Sequence, residues 1–268
     1  MKTGPEILLT NDDGIRSPGL WAAAASLAAL GHVTVAAPKE QSSGMGRSLP
    51  STSSGIIQEQ ELEVNGQKWT VYAVNGTPAQ AVLHAVLEIM PDKPALVVSG
   101  INYGENVGLG ITISGTVGAA LEAASLGCPA LAVSLQAHQR YHFSYSKDID
   151  FSAAAHFAAF FGGILLEKKM PPDVHVLKLD VPSTATPQTP WQLTRVSRQR
   201  YYDPVRPERS SWDVPGTPSY TEAVILEGED EDSDVYALRK KQCVSVTPLS
   251  LDMTSRLELD ELEKQLRE

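Results

Sequence analysis

Two adjacent carboxylates in an irregular turn are the first feature of this chain that could do chemistry. Asp12 and Asp13 lie in Asn11-Asp12-Asp13-Gly14, directly after the β-rich run Glu6 to Thr10. On a regular strand neighbouring side chains point to opposite faces, but in a turn beyond a strand both can bend toward one point. Close carboxylates repel unless something positive lies between them, and a hard divalent cation is the usual solution. Ser43, in the loop after the second apolar run, and Asn102, in Gly100-Ile101-Asn102, are available to complete the set. Such an all-oxygen set suits Mg²⁺, Mn²⁺ or Ca²⁺ better than zinc or copper. Anion chemistry is available beside it. The segment Gly100 to Thr116 has few large side chains and ends at a helix start that Ser114 or Thr116 can cap, and unpaired N–H groups at such a start bind phosphate. Gly44-Met45-Gly46-Arg47 is a second candidate for anion contact.

These residues need a frame, and the apolar pattern supplies one. Glu6 to Thr10, Val33 to Pro38, the run from Trp69, Ala95 to Gly100 and Ala130 to Ser134 read as strands. Helices are expected at Gly19 to Leu30, Ala79 to Ile89, Thr116 to Leu126 and Phe151 to Lys168. Nearly all-apolar strands alternating with helices mark an α/β, Rossmann-like, doubly wound, mostly parallel sheet covered on both faces. Ligands of such sheets bind at the carboxyl ends of the strands. The loops to inspect are therefore Asn11 to Gly14, Lys39 to Ser48, Gly76 to Pro78 and Gly100 to Gly108.

His175 to Pro182 alternates enough to suggest a strand near the sheet edge, so the catalytic core is expected to span residues 1–183. Residues 184–268 then supply a C-terminal arm. Within it, β-type stretches are expected around Gln192 to Tyr202 and Tyr220 to Leu226, followed by a short helix capped by Ser233, a strand at Val244 to Leu249 and a charged helix over Arg256 to Glu268. The acidic run Gly228 to Asp234 lacks the spacing of a calcium loop and reads as a solvated loop.

A formal net charge of −10 and a pI near 5.1 would repel a polyanion, so a nucleic-acid polymer is not expected as a partner. A small phosphate ester is still allowed, because a bound cation and a few N–H groups act locally. No apolar run approaches the length of a membrane span, and a soluble, cytoplasmic protein is the expectation. Cys128 and Cys243 are too few for a disulfide framework and read as structural. There is no HExxH, GxSxG, paired CxxC, P-loop or dinucleotide fingerprint. His138 and His142, in the loop after the strand ending at Ser134, could line the pocket mouth, but solvated loop histidines are the favoured reading.

Ile7 to Leu20, Ala36 to Gly44, Asn75-Gly76-Thr77-Pro78, Val97 to Gly108, Ile113 to Ala123 and Gly127 to Ser134, in this order, closely resemble the SurE family of survival-protein nucleotidases. Val244 to Thr254 is similar to that family's C-terminal signature. The resemblance implies hydrolysis of 5′- or 3′-nucleoside monophosphates and one divalent cation per subunit, Mg²⁺ or Mn²⁺, with Ca²⁺ able to take its place in crystals. It also implies a homodimer or homotetramer in which C-terminal arms are exchanged. Carried over by motif, the metal ligands fall on Asp12, Asp13, Ser43 and Asn102. Asn106, Ser114, Gly115 and Thr116 form the phosphate edge, with Asn11 and Gly44 as further substrate contacts, and Asp12 is assigned to catalysis. Many members have Asp at Lys39 and Arg at Ser42, so Arg47 is expected to stand in for the missing cation. An aspartyl-phosphate phosphatase of the haloacid dehalogenase type needs an acid two residues past its nucleophile, where this chain has Gly14 or Ile15. The rival of a different class is a non-catalytic, metal-dependent nucleotide sensor.

Overall fold

The computed structural model describes residues 4–223 and 227–268. Its strands are β1 (Glu6–Thr10), β2 (His32–Pro38), β3 (Ile57–Val64), β4 (Gln67–Val74), β5 (Leu96–Tyr103), β6 (Ala130–Leu135), β7 (Val176–Val181), β8 (Trp191–Leu193), β9 (Tyr202–Val205), β10 (Ser219–Glu222) and β11 (Val244–Leu249). The main sheet runs β3-β4-β2-β1-β5-β6-β7-β11-β8. The six strands from β4 to β7 are all parallel. The chain starts in the middle of the sheet at β1, builds outward through β2 and β4, then crosses to β5 on the other side. That reversal is a topological switch point, and the loops after β1 and β5 flank the crevice it opens.

Side chains alternate across each strand, which is why both faces are apolar. Ile7 and Leu9 face one core with Trp21 and Leu27 of α1 (Pro18–Leu27) and Phe157 and Phe161 of a later helix, Ser152–Glu167. Leu8 and Val97 face the other, with Val82 of α2 (Pro78–His84) and Val117, Ala120 and Ala123 of α3 (Gly115–Ser125). Ser152–Glu167, α4, thus pairs with α1 on one face, and α2 with α3 on the other. The turn after β4 is a helix start: the Thr77 hydroxyl accepts from Gln80 N, the Gln80 side chain accepts from Thr77 N, and Pro78 opens α2. Among the described residues no helix is long and apolar enough to cross a membrane.

Two expectations are corrected. Residues 176–181 lie inside the sheet rather than near its edge, and every residue of β7 is buried. What covers it comes from beyond residue 183: β11 returns antiparallel along β7, and β8 adds to β11 in parallel. The acidic run does not stay in solvent to its end, because Asp234, the first residue of α5 (Asp234–Tyr236), is fully buried. Lys178 is fully buried too, and its Nζ donates to Asp180 and, at 3.1 Å, to Asp234. A charged strand residue that reads as an edge signal is thus an internal ion pair.

A strand was also overlooked. β3 pairs antiparallel with β4 through Asn65 and Gly66, both at positive φ, the two-residue turn that Asn-Gly favours. Elsewhere the terminal helix α6 is shorter than expected (Leu259–Arg267), and β9 pairs with β10 in a small separate sheet. The β-type stretch expected to reach Leu226 extends over residues 224–226, outside the described residues.

Candidate active site

The carboxyl ends of β1 and β5 carry the two key loops. In the first, Asn11 is spent on shaping the turn: its Nδ2 donates to Gly14 O and its Oδ1 accepts from Gly14 N, both at 3.1 Å. Asn11 is fully buried and does not reach the cleft. Asp12 is 3% exposed and lines a cleft of about 380 Å³ with Ser43, Gly44, Asn102, Asn106 and Ser114. That volume falls in the range of small-molecule sites.

Helix α3 holds Asp12. The Thr116 hydroxyl donates to Asp12 Oδ1, and a Cβ added at Gly115 would stand 2.7 Å from Asp12 Cβ and 2.9 Å from Oδ2. Only glycine lets the helix start come so close. Ser114 caps α3, its Oγ accepting from Val117 N at 3.1 Å, which leaves the hydroxyl proton free to meet an anion. So Ser114 faces the cleft, whereas Gly115 and Thr116 contact the catalytic candidate and not the lining. Asp13 is not among the residues that line the cleft: its Oδ1 accepts from Gln41 Nε2 and its Oδ2 from Tyr103 N, both at 3.2 Å.

Burial raises the pKa of both carboxyls, and the charge of Asp12 adds to the rise at Asp13. No Lys or Arg pairs with either among the described residues. A cation between or beside them would relieve both effects, so the donor chemistry fits one. Asn102 uses its Nδ2 on Gly104 O at 2.7 Å, which leaves Oδ1 as its available donor atom. Among the described residues no three His, Cys, Asp or Glu side chains cluster as a metal site, so a cation here would rely on Ser43, Asn102 and water beyond the two carboxylates.

The phosphate edge is braced from below. Asn106 donates through Nδ2 to Ser134 Oγ at 2.8 Å and through its backbone N to Asp180 Oδ1 at 2.7 Å. Asp234 accepts in turn from Gly108 N and Ser197 N. The buried Lys178 pair therefore pins both ends of the Asn106 loop.

Arg47 does not stand in for the missing cation. Its Nε pairs with Glu122 on α3 at 2.6 Å, and the cleft lining does not include it. The cation that does line the cleft is Arg200, overlooked in the sequence because it lies in the irregular stretch before β9. For His142 the structure takes the pocket-mouth alternative over the solvated one. It is buried, burial lowers its pKa, and its Nε2 donates to Ala137 O at 2.9 Å, so the neutral ring accepts at Nδ1 from the Tyr220 hydroxyl. Histidine after a β-strand was the only local signal for it. His138 lies outside this cleft.

A family profile described as survival protein SurE matches residues 7–203. The 5′-nucleotidase SurE of Thermococcus gammatolerans is 40% identical over 261 residues, covering 97% of this chain and 95% of that protein. The 5′-nucleotidase SurE of Archaeoglobus fulgidus is 40% identical over 264 residues and covers 96% of each. Among solved structures, the SurE protein from Aquifex aeolicus superposes with a TM-score of 0.76 at 30% identity, covering 98% of this chain and all of that one.

Proposed function

Because the chain belongs to the survival protein SurE family, we propose that it hydrolyses nucleoside 5′-monophosphates to nucleoside and phosphate, using one divalent cation per subunit, Mg²⁺ or Mn²⁺. The observation that carries this reading is the shared cleft: Asp12, Ser43, Asn102, Asn106 and Ser114 line it together at the switch point of the sheet, with aromatic rings in the same lining. The 5′-nucleotidase names of the full-length relatives support the substrate class.

Asp12, Asp13, Ser43 and Asn102 would hold the cation. When bound, it supplies Lewis acidity and positive charge for phosphoryl transfer. The chain's own groups do the rest. Asp12, fixed by the Thr116 hydroxyl, orients the attacking water and receives its proton. The Ser114 hydroxyl, the second Nδ2 proton of Asn106 and the Gly44 N–H, at positive φ, would donate to phosphate oxygens. Arg200 adds the one Lys or Arg charge among the residues lining the cleft.

The test is phosphate release from 5′- and 3′-monophosphates by metal-stripped protein, with Mg²⁺, Mn²⁺ or EDTA added. Release restored by a cation and abolished by EDTA is expected. Nucleotide binding without release under every metal would replace this reading with the nucleotide sensor. Direct attack by Asp12 would instead leave oxygen-18 from labelled water in its carboxylate after one turnover.

Gly115→Ala tests the positioning of Asp12. The new methyl must displace that side chain, and a shift near 1 Å at a reacting group costs on the order of 10²-fold in rate. Overpacking should cost only about 1–3 kcal/mol of stability, so the variant is expected to remain folded by circular dichroism while turnover falls. Unchanged turnover would show that Asp12 is not the positioned group.

The same reading takes the protein as a cytoplasmic homodimer or homotetramer with exchanged C-terminal arms. Leu259 and Leu266 of α6, 66% and 76% exposed, support an arm that ends on another subunit. Light scattering of the full chain should give at least twice the monomer mass of 28.8 kDa.

A further inference from the structure

We propose that the aromatic wall of the cleft, formed by Phe143, Tyr202 and Tyr220, is the stacking site for the nucleobase, so that the site selects nucleotides over other phosphate esters by π-contact rather than by reading base edges. This rests on the nucleotidase reading above and deepens it.

The cleft combines two kinds of lining. Asp12, Asn102 and Ser114 line it together with the three rings. Phe143 is 66% exposed, a large apolar side chain left open in the cleft. Its centroid lies 6.5 Å from that of Tyr220, with the rings inclined at 55°. Tyr202 and Tyr220 meet edge to face at 5.1 Å.

The tyrosine hydroxyls are already engaged. Tyr220 donates to His142 Nδ1 at 2.9 Å, and Tyr202 donates to Glu105 O at 3.3 Å. What these side chains can offer a ligand is therefore ring surface. Every base has a π-face, so such a wall tolerates any base and favours the larger purines.

The wall is tied to the carboxylate turn. Gln41 Nε2 donates both to His142 O at 2.7 Å and to Asp13 Oδ1, and the Tyr145 hydroxyl donates to Asp13 O at 2.9 Å. The loop that carries Phe143 is thus anchored on both sides of that residue to the Asp12-Asp13 turn. A ligand whose phosphate is held at Asp12 would share the cleft with these rings. A ribose has no aromatic counterpart, whereas a base does.

The experiment compares kcat/KM for adenosine 5′-monophosphate, uridine 5′-monophosphate and ribose 5-phosphate, which lacks a base, at saturating Mn²⁺. Wild type is expected to prefer both nucleotides to ribose 5-phosphate, and adenosine 5′-monophosphate most. In Phe143→Ala the ratio of adenosine 5′-monophosphate to ribose 5-phosphate is expected to fall roughly 5- to 150-fold, the worth of one stacked base. Phe143→Tyr should restore the ratio, and Phe143→Leu, apolar but not flat, should not. Because Phe143 is exposed, all three variants are expected to fold. A ratio unchanged in Phe143→Ala, or equally restored by Leu and Tyr, would overturn the stacking site while leaving nucleotide hydrolysis in place. Wild type that releases phosphate from no nucleotide would overturn the nucleotidase reading, and the stacking site with it.

Discussion

Phosphate release from a nucleoside 5′-monophosphate is expected to fall by about 10²–10⁴-fold in Asp12→Asn, the range for losing one positioned acid–base group. The variant should nevertheless fold. An amide has nearly the same shape, and its oxygen can still accept from the Thr116 hydroxyl that now holds Asp12. It also removes one of two adjacent buried charges, since Asp12 raises the pKa of Asp13 by repulsion. Metal-free Asp12→Asn is therefore expected to unfold at the same temperature as wild type or higher, the usual trade of stability against an active-site charge. Its affinity for Mn²⁺, read by calorimetric titration, should drop together with the rate. A variant that keeps its turnover would remove Asp12 from the mechanism. One that loses turnover only because it unfolds would leave Asp12 a structural residue.

Lys178→Met is expected to cost about 3–5 kcal/mol of stability, because it leaves Asp180 and Asp234 buried without their counter-charge. Against a typical total of about 5–15 kcal/mol this is a large part of the fold, and a urea midpoint will show it. The damage should reach the cleft as well, since Asp180 accepts from Asn106 N and Asp234 from Gly108 N. An unchanged midpoint would mean that the ion pair contributes little. The same cluster predicts a pH dependence. Burial pushes the Asp180 carboxyl from its ordinary 3.8 up to about 6, although Lys178 pulls it the other way. A raised native pKa means that the folded state holds the proton more tightly than the unfolded one. This contribution is therefore full below pH 4 and is lost as pH rises through 6. The stability of wild type relative to Asp180→Asn should decline by up to about 3 kcal/mol across that window. A flat difference between the two proteins would contradict it.

Much of the frame was legible in the residues because its causes are local. Apolar runs such as Leu96 to Val98, helix caps such as Ser114 and Ser233, and the turn at Asn11 to Gly14 each act within a few positions, and each is found where it was expected. The Asn65-Gly66 turn was just as local, and its strand was overlooked although alternating Leu62, Val64 and Trp69 flank it. Other features had no local trace. Lys178 looks like an edge residue until Asp234, 56 positions later, arrives to neutralise it. His142 looks solvated until Tyr220, 78 positions later, covers it. Arg47 looks free to meet an anion until α3 brings Glu122 against it.

The sequence by itself therefore determined the strand and helix order, the oxygen-rich loops at one edge of the sheet and, through their ordered motifs, the family. Only the tertiary structure decided which polar groups face the cleft and which are consumed in holding it, and it alone brought Phe143, Tyr202 and Tyr220 into one cleft with Asp12. The physical reason is that a backbone conformation depends on nearest neighbours, whereas the cost of burying a charge or a ring depends on a partner that the chain supplies from far away.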